Sequence, residues 1–176
     1  ESLGMEKIYL AGNRSHPAVE KALSGPAGPG GIHRFAPQWL NGESFINLKP
    51  GQVLCRVNQQ FLARYDLHPR ELWSTENTVT AMNLVDHTPC FTTVPALCTR
   101  MDYLPPNLVL MELGDPPLEW EMAIVYPKHT RITRIMRLFI DTVKELYHNG
   151  PLVRRQYSER ISAEMGLGEE PHERKC

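Results

Sequence analysis

Apolar positions recur along this chain in two rhythms, one near 3.6 residues and one near 2, with Gly- and Pro-rich breaks between them. Val53, Val57, Phe61, Leu62 and Tyr65 recur at helical spacing and predict a helix over about 52–65, ended by His68-Pro69. The longest stripe comprises Ile132, Ile135, Met136, Phe139, Ile140, Val143, Leu146 and Tyr147. It predicts a helix over Ile132–Tyr147, stopped by Asn149-Gly150-Pro151. Thr78–Val85 predicts a further helix with Asn77 as its N-cap, and Phe35–Leu40 a helical turn. Short apolar runs predict strands at Glu6–Ala11, Ser44–Leu48, Leu72–Thr75, Cys90–Val94, Leu108–Leu113 and Glu119–Tyr126. Pro95 suits the first turn of a helix after the fourth of these. The stretch Ser24–Gly31 (SGPAGPGG) favours neither rhythm and predicts a surface loop.

Strands alternating with helices imply an α/β fold, a mostly parallel sheet with helices on both faces. Ligands of such sheets bind in the crevice outside the carboxyl ends of the strands. Beyond Gly150 the chain turns charged. Leu152, Val153, Tyr157, Ile161 and Met165 suggest a weak helix, and the terminal GEEPHERKC reads as disordered.

Charge changes the picture. The chain carries 19 basic and 20 acidic side chains, a formal charge of −1 over 176 residues, so it offers no broad positive field for a phosphate backbone. Any grip on nucleic acid is expected from another segment. Cys55, Cys90, Cys98 and Cys176 form no C-x-x-C pair and no zinc spacing, and read as reduced thiols. No apolar run approaches a membrane span and no signal peptide opens the chain, so a cytoplasmic protein is expected. The first residue is Glu1, which suggests a processed or cut fragment.

No catalytic constellation emerges. The histidines, among them His16, His68 and His172 beside proline, fit no H-E-x-x-H or H-x-E pattern, and G-x-S-x-G and P-loop motifs are missing. Glu119 and Glu121 share one strand face, as on any half-solvated strand. No enzyme, metal or cofactor is expected. One turn has a physical case for binding. Asn47 and Lys49 leave a strand's carboxyl end, and Pro50-Gly51 leads into a helix whose first N–H groups and dipole favour an anion. Gln52 adds an amide; the bland alternative is a solvated lysine in a turn. Thr92-Thr93, polar within an apolar strand, either orient a ligand's oxygens or bond the neighbouring backbone.

The order of these pieces resembles the effector-binding region of LysR-type transcriptional regulators, over about Glu6–His148. It runs from EKIYLAGNRSHP through WLNGESFINL, RYDLHP, LWSTEN and CFTTVP to YPKHTRITRIMRLFIDTVKELY. The resemblance implies a periplasmic-binding-protein-like type 2 fold. Residues 1–30 would be the end of a first subdomain and a crossover loop, and 31–115 a second, effector-binding subdomain. Residues 116–150 would be a return strand and the C-terminal helix of the first subdomain, and 151–176 a charged tail. It further implies a small effector, often an organic acid, contacting Asn47, Lys49 and Thr92-Thr93, which the crevice argument reaches independently. Assembly as a homodimer or tetramer is implied, with promoter DNA bound through a domain outside this chain. The sequence departs from the family's pattern in lacking that domain and the opening units of the first subdomain. It also departs at Asp86-His87-Thr88-Pro89, where the family has a Gly-rich turn. The function expected is effector sensing, with a free-standing solute-binding protein of related fold as the alternative.

Overall fold

Leu10 and Ala11 are neighbours on the first strand, yet each is fully buried in a different apolar cluster. Successive side chains of a strand point to opposite faces, so a strand buried on both must lie inside a sheet covered from both sides. The computed structural model, which describes residues 1–100 and 104–149, has this arrangement. Its strands are β1 (Ser2–Asn13), β2 (His33–Phe35), β3 (Ser44–Leu48), β4 (Arg70–Thr75), β5 (Phe91–Pro95), β6 (Leu108–Leu113) and β7 (Glu119–Ala123). Its helices are α1 (Pro17–Leu23), α2 (Val53–Arg64), α3 (Thr78–His87) and α4 (Arg134–Asn149).

Among the described residues seven strands form one sheet in the order β2-β6-β1-β5-β3-β4, with β7 also paired to β1. β3 runs parallel to β4 and β5, and β2 parallel to β6, whereas β1 is antiparallel to both β5 and β6. The sheet is therefore mostly parallel, as the alternation of elements implied, with β1 as the reversed central strand. One cluster packs Leu10, Phe35, Phe45, Phe91, Met111 and Leu113 against Val19 and Ala22 of α1 and Phe61 of α2. The opposite cluster packs Ala11, Ile46 and Val94 against Ala81, Met82 and Val85 of α3.

The predicted strands at Ser44–Leu48 and Leu108–Leu113 are found with those bounds. The predicted helix over 52–65 is α2, with Gln52 and Tyr65 as its caps. Other expectations need correction. α1 was not anticipated, although His16-Pro17 announces it. Pro17 fills the first helical position, and His16 Nδ1 accepts the Ala18 N–H (3.2 Å) as an N-cap. Gly12 lets this helix approach, because a Cβ there would sit 2.7 Å from Val19 and 2.8 Å from Phe91. The 24–31 segment is a loop closed by a single 3-10 turn at Pro29–Gly31. Pro95 ends β5 instead of opening a helix; the 3-10 turn that follows begins at Ala96. β7 stops at Ala123, short of the expected Tyr126. α4 starts at Arg134 because Thr133 caps it, its Oγ1 accepting the Met136 N–H (3.2 Å).

Residues 4–122 form one compact unit, and among the described residues 1–3 and 123–149 form another. β1 supplies the central strand of the first of these units. In the second unit, the Glu1 carboxylate accepts from Lys144 Nζ (2.5 Å) and Arg137 Nη1 (3.2 Å) of α4. The apolar stripe of α4 is only partly covered. Ile140 is buried, but Ile135, Leu138 and Phe139 are 80%, 68% and 63% exposed. The weak helix expected around Leu152–Met165 and the tail through Cys176 lie outside the described residues.

Candidate ligand site

β3 ends at Leu48 on the carboxyl edge of the sheet, and four residues carry the chain into α2. The turn is built by backbone bonds. Lys49 N–H donates to Thr75 C=O of β4 (2.9 Å), and Gln52 N–H to Lys49 C=O (3.2 Å). Gly51 takes φ +98°, a left-handed conformation that glycine adopts without strain. Gln52 then stands at the N-cap with extended backbone, but its side chain caps nothing. The first turn of the 12-residue α2 therefore opens without a side-chain acceptor, on a cavity of about 250 Å³ lined by Pro50, Gly51, Gln52, Val53, Cys55, Arg56 and Gln59.

The sequence-derived candidates are dispersed around this turn. Gln52 lines the cavity. Lys49 does not; its ammonium binds Glu76 Oε1 at 2.9 Å, which holds the Glu76 carboxyl below its ordinary value. Arg56, one turn into α2, is the cationic side chain on the cavity wall, and it has no ion pair among the described side chains. Sequence reasoning missed it, although its place three residues after Val53 puts it in the helix's first turns.

Thr92 and Thr93 point to opposite faces of β5. Thr92 Oγ1 donates to Ile46 C=O (2.9 Å), the backbone role weighed from sequence. Thr93 Oγ1 donates to Asn58 Oδ1 (2.8 Å), and Asn58 Nδ2 donates to Asn47 Oδ1 (3.2 Å), which also accepts the Leu48 N–H (3.0 Å). Asn47, Asn58 and Thr93 are all buried. They form one polar network that fixes α2 on β3 and β5 beneath the turn. Asn58 was missed too. The buried face of α2 is Leu54, Cys55, Asn58 and Phe61, so a polar residue at an apolar-stripe position was the available signal.

The Asp86-His87-Thr88-Pro89 departure also has a structural role. α3 continues to His87, and the buried Asp86 accepts the Asn107 N–H at 2.7 Å. Asn13 Nδ2 donates to the carbonyls of Val85 and Asp86, both at 2.8 Å. No group of three or more metal-ligating side chains occurs among the described residues, and no helix there is long and apolar enough to cross a membrane.

A mostly parallel sheet, helices on both faces and an open helix start above a cavity define an α/β ligand-binding domain. The family described as "LysR substrate binding domain" matches residues 30–147, and the chain belongs to it. It is therefore an effector-binding domain of the LysR type. No curated protein matches it by sequence. Among solved structures it is similar to the regulatory domain of CcmR from Synechocystis PCC6803, solved with 2-PG. That match has 13% identity and TM-score 0.70, covering 86% of this chain and 67% of that one. The effector-binding domain of QuiR, solved with shikimate, matches at 13% identity and TM-score 0.64, covering 84% of this chain and 64% of that one. An effector-binding domain of a BenM variant matches at 19% identity and TM-score 0.64, covering 85% and 66%. At such identities the likeness establishes the fold, periplasmic-binding-protein-like of type 2. The chain spans about two thirds of the length of these domains, 64% in the case of QuiR.

Proposed function

We propose that this domain senses a small organic acid, held against the first turn of α2. The observation that carries the reading is the helix start without a side-chain acceptor, opening on a cavity walled by Arg56 and Gln52. Free N–H groups, the positive end of the helix dipole and a guanidinium all favour a carboxylate there. Lys49 adds charge beside the turn, and Asn47 and Thr93 support it from beneath through Asn58. The shikimate bound to QuiR is itself a carboxylic acid, in keeping with this chemistry.

Sensing, with no chemistry on the ligand, is the role proposed. In the whole regulator, a cytoplasmic protein, the chain would act within a homodimer or tetramer. Promoter DNA would be held by a different domain, since the net charge of −1 gives this one no grip of its own. Calorimetric titration with a panel of small acids, including shikimate, tests the site. Arg56→Met and Lys49→Met should each weaken the best ligand about tenfold or more while the fold survives. Equal affinity in wild type and both variants would remove the turn from consideration.

A further inference from the structure

Glu6 lies on β1 near the carboxyl edge of the sheet and is only 5% exposed. Both of its oxygens are engaged. Oε1 accepts the backbone N–H of Leu97 at 2.6 Å, in the 3-10 turn that leaves β5. Oε2 accepts the indole N–H of Trp120 on β7, also at 2.6 Å. Two residues along, Ile8 N–H donates to Leu118 C=O (2.8 Å) and Ile8 sits opposite Pro95 in the β1–β5 pairing. One carboxylate therefore fastens three segments: β1, the exit of β5 and β7.

The charge has a purpose that shape alone does not serve. Burying a carboxylate is costly unless its hydrogen bonds compensate for lost water. An ionised carboxylate accepts at both oxygens, whereas a glutamine would accept at one and present an N–H to the other donor. Two short N–H donors thus select the acid over its amide.

The topology gives that fastening its place. The chain enters residues 4–122 along β1 and leaves them along β7, so these strands are the covalent links between the two units. We propose that Glu6 is the coupling residue of the sensor, joining the turn at the carboxyl end of β5 to both strands through which the chain passes between its units. A ligand that shifts this edge then pulls on β1 and β7 together through one side chain. The regulatory meaning of the coupling rests on the sensing role proposed above; the fastening itself does not.

Hydrogen exchange on the full chain tests it, comparing wild type with Glu6→Gln at matched pH. The Leu97 amide and the Trp120 indole should exchange about tenfold faster in the variant, and the Ile8 amide should follow. Amides of α3 should keep their rates. A second readout is Cys98, whose thiol is held above its ordinary value by burial and, beyond that, by the charge of Glu6. Cys98 should alkylate faster in Glu6→Gln, read by peptide mass. Unchanged rates at Leu97 and Trp120 would overturn the proposal. So would an equal acceleration everywhere, which would make Glu6 a general stabilising residue. Should Glu6→Gln fail to fold, Trp120→Phe removes one donor alone, and the Leu97 amide should still exchange faster; an unchanged rate there is the overturning result. Absence of binding to every acid in the titration panel would defeat the sensing role and leave this exchange pattern intact, so the two failures are distinguishable.

Discussion

His16 Nε2 lies 3.0 Å from Glu43 Oε2, while Nδ1 of the same ring accepts the Ala18 N–H. An acceptor at Nδ1 requires the neutral tautomer with its proton on Nε2, so the ring donates to Glu43 and caps α1 together. The ring also packs edge-on against Phe91, with centroids 4.6 Å apart. Removing it as His16→Ala should destabilise the domain by about 1–2 kcal/mol. His16→Asn should recover part of that by restoring a cap. Urea unfolding of the two variants measures the difference, and equal losses would assign the effect to the Glu43 and Phe91 contacts.

Asp86, near the end of α3, is a buried carboxylate that holds Asn107. Asp86→Ala leaves the Asn107 N–H without its partner and should cost roughly 1.5–3 kcal/mol. Denaturant midpoints compared at constant slope check this.

Burial pushes the Cys90 thiol from its ordinary 9.0 up to about 11. The thiolate is the reactive form, so at pH 8 Cys90 should resist alkylation in the folded domain and react once urea unfolds it. Linkage fixes the sign of the pH effect. Between pH 9 and pH 11 the unfolded chain loses this proton before the folded one does, so stability should fall as pH rises through that window. Unfolding curves at pH 8 and in the window measure it, and Cys90→Ala should flatten the fall.

The exposed Ile135, Leu138 and Phe139 give α4 an apolar face larger than scattered surface hydrophobes require. The chain should self-associate through it as concentration rises. Light scattering from micromolar to millimolar protein should show a mass that grows for wild type and stays at one chain for Leu138→Glu with Phe139→Glu. A wild-type mass of one chain throughout would refute this.

What was legible in the sequence was local. β3, β6 and α2 follow from period and punctuation, and the Lys49-Pro50-Gly51-Gln52 turn from a strand running into a helix. The facing of α2 was not legible. Val53 and Val57 suggested one stripe, but Val53 is 53% exposed and the buried stripe runs through Cys55 and Asn58. Asn58 is drawn inward by Asn47 and Thr93, partners that hydropathy does not weigh. The Lys49–Glu76 pair was hidden for a related reason. It depends on β3 and β4 lying side by side, which brings Leu48 opposite Thr75. α1 was missed because a seven-residue helix is too short for a period to show, and only its cap and proline mark it.

The central position of β1 has a consequence for synthesis. Its partners are residues 91–95 on one side and 108–112 on the other, so β1 has neither of these neighbours until about eighty more residues have been made. At roughly 5–20 residues per second that is a wait of several seconds or more. Throughout it the apolar Ile8-Tyr9-Leu10-Ala11 run is open to any other extended chain. Nascent chains arrested before Phe91 should therefore hold chaperones, and arrest past Leu113, once both neighbours of the strand are made, should release them.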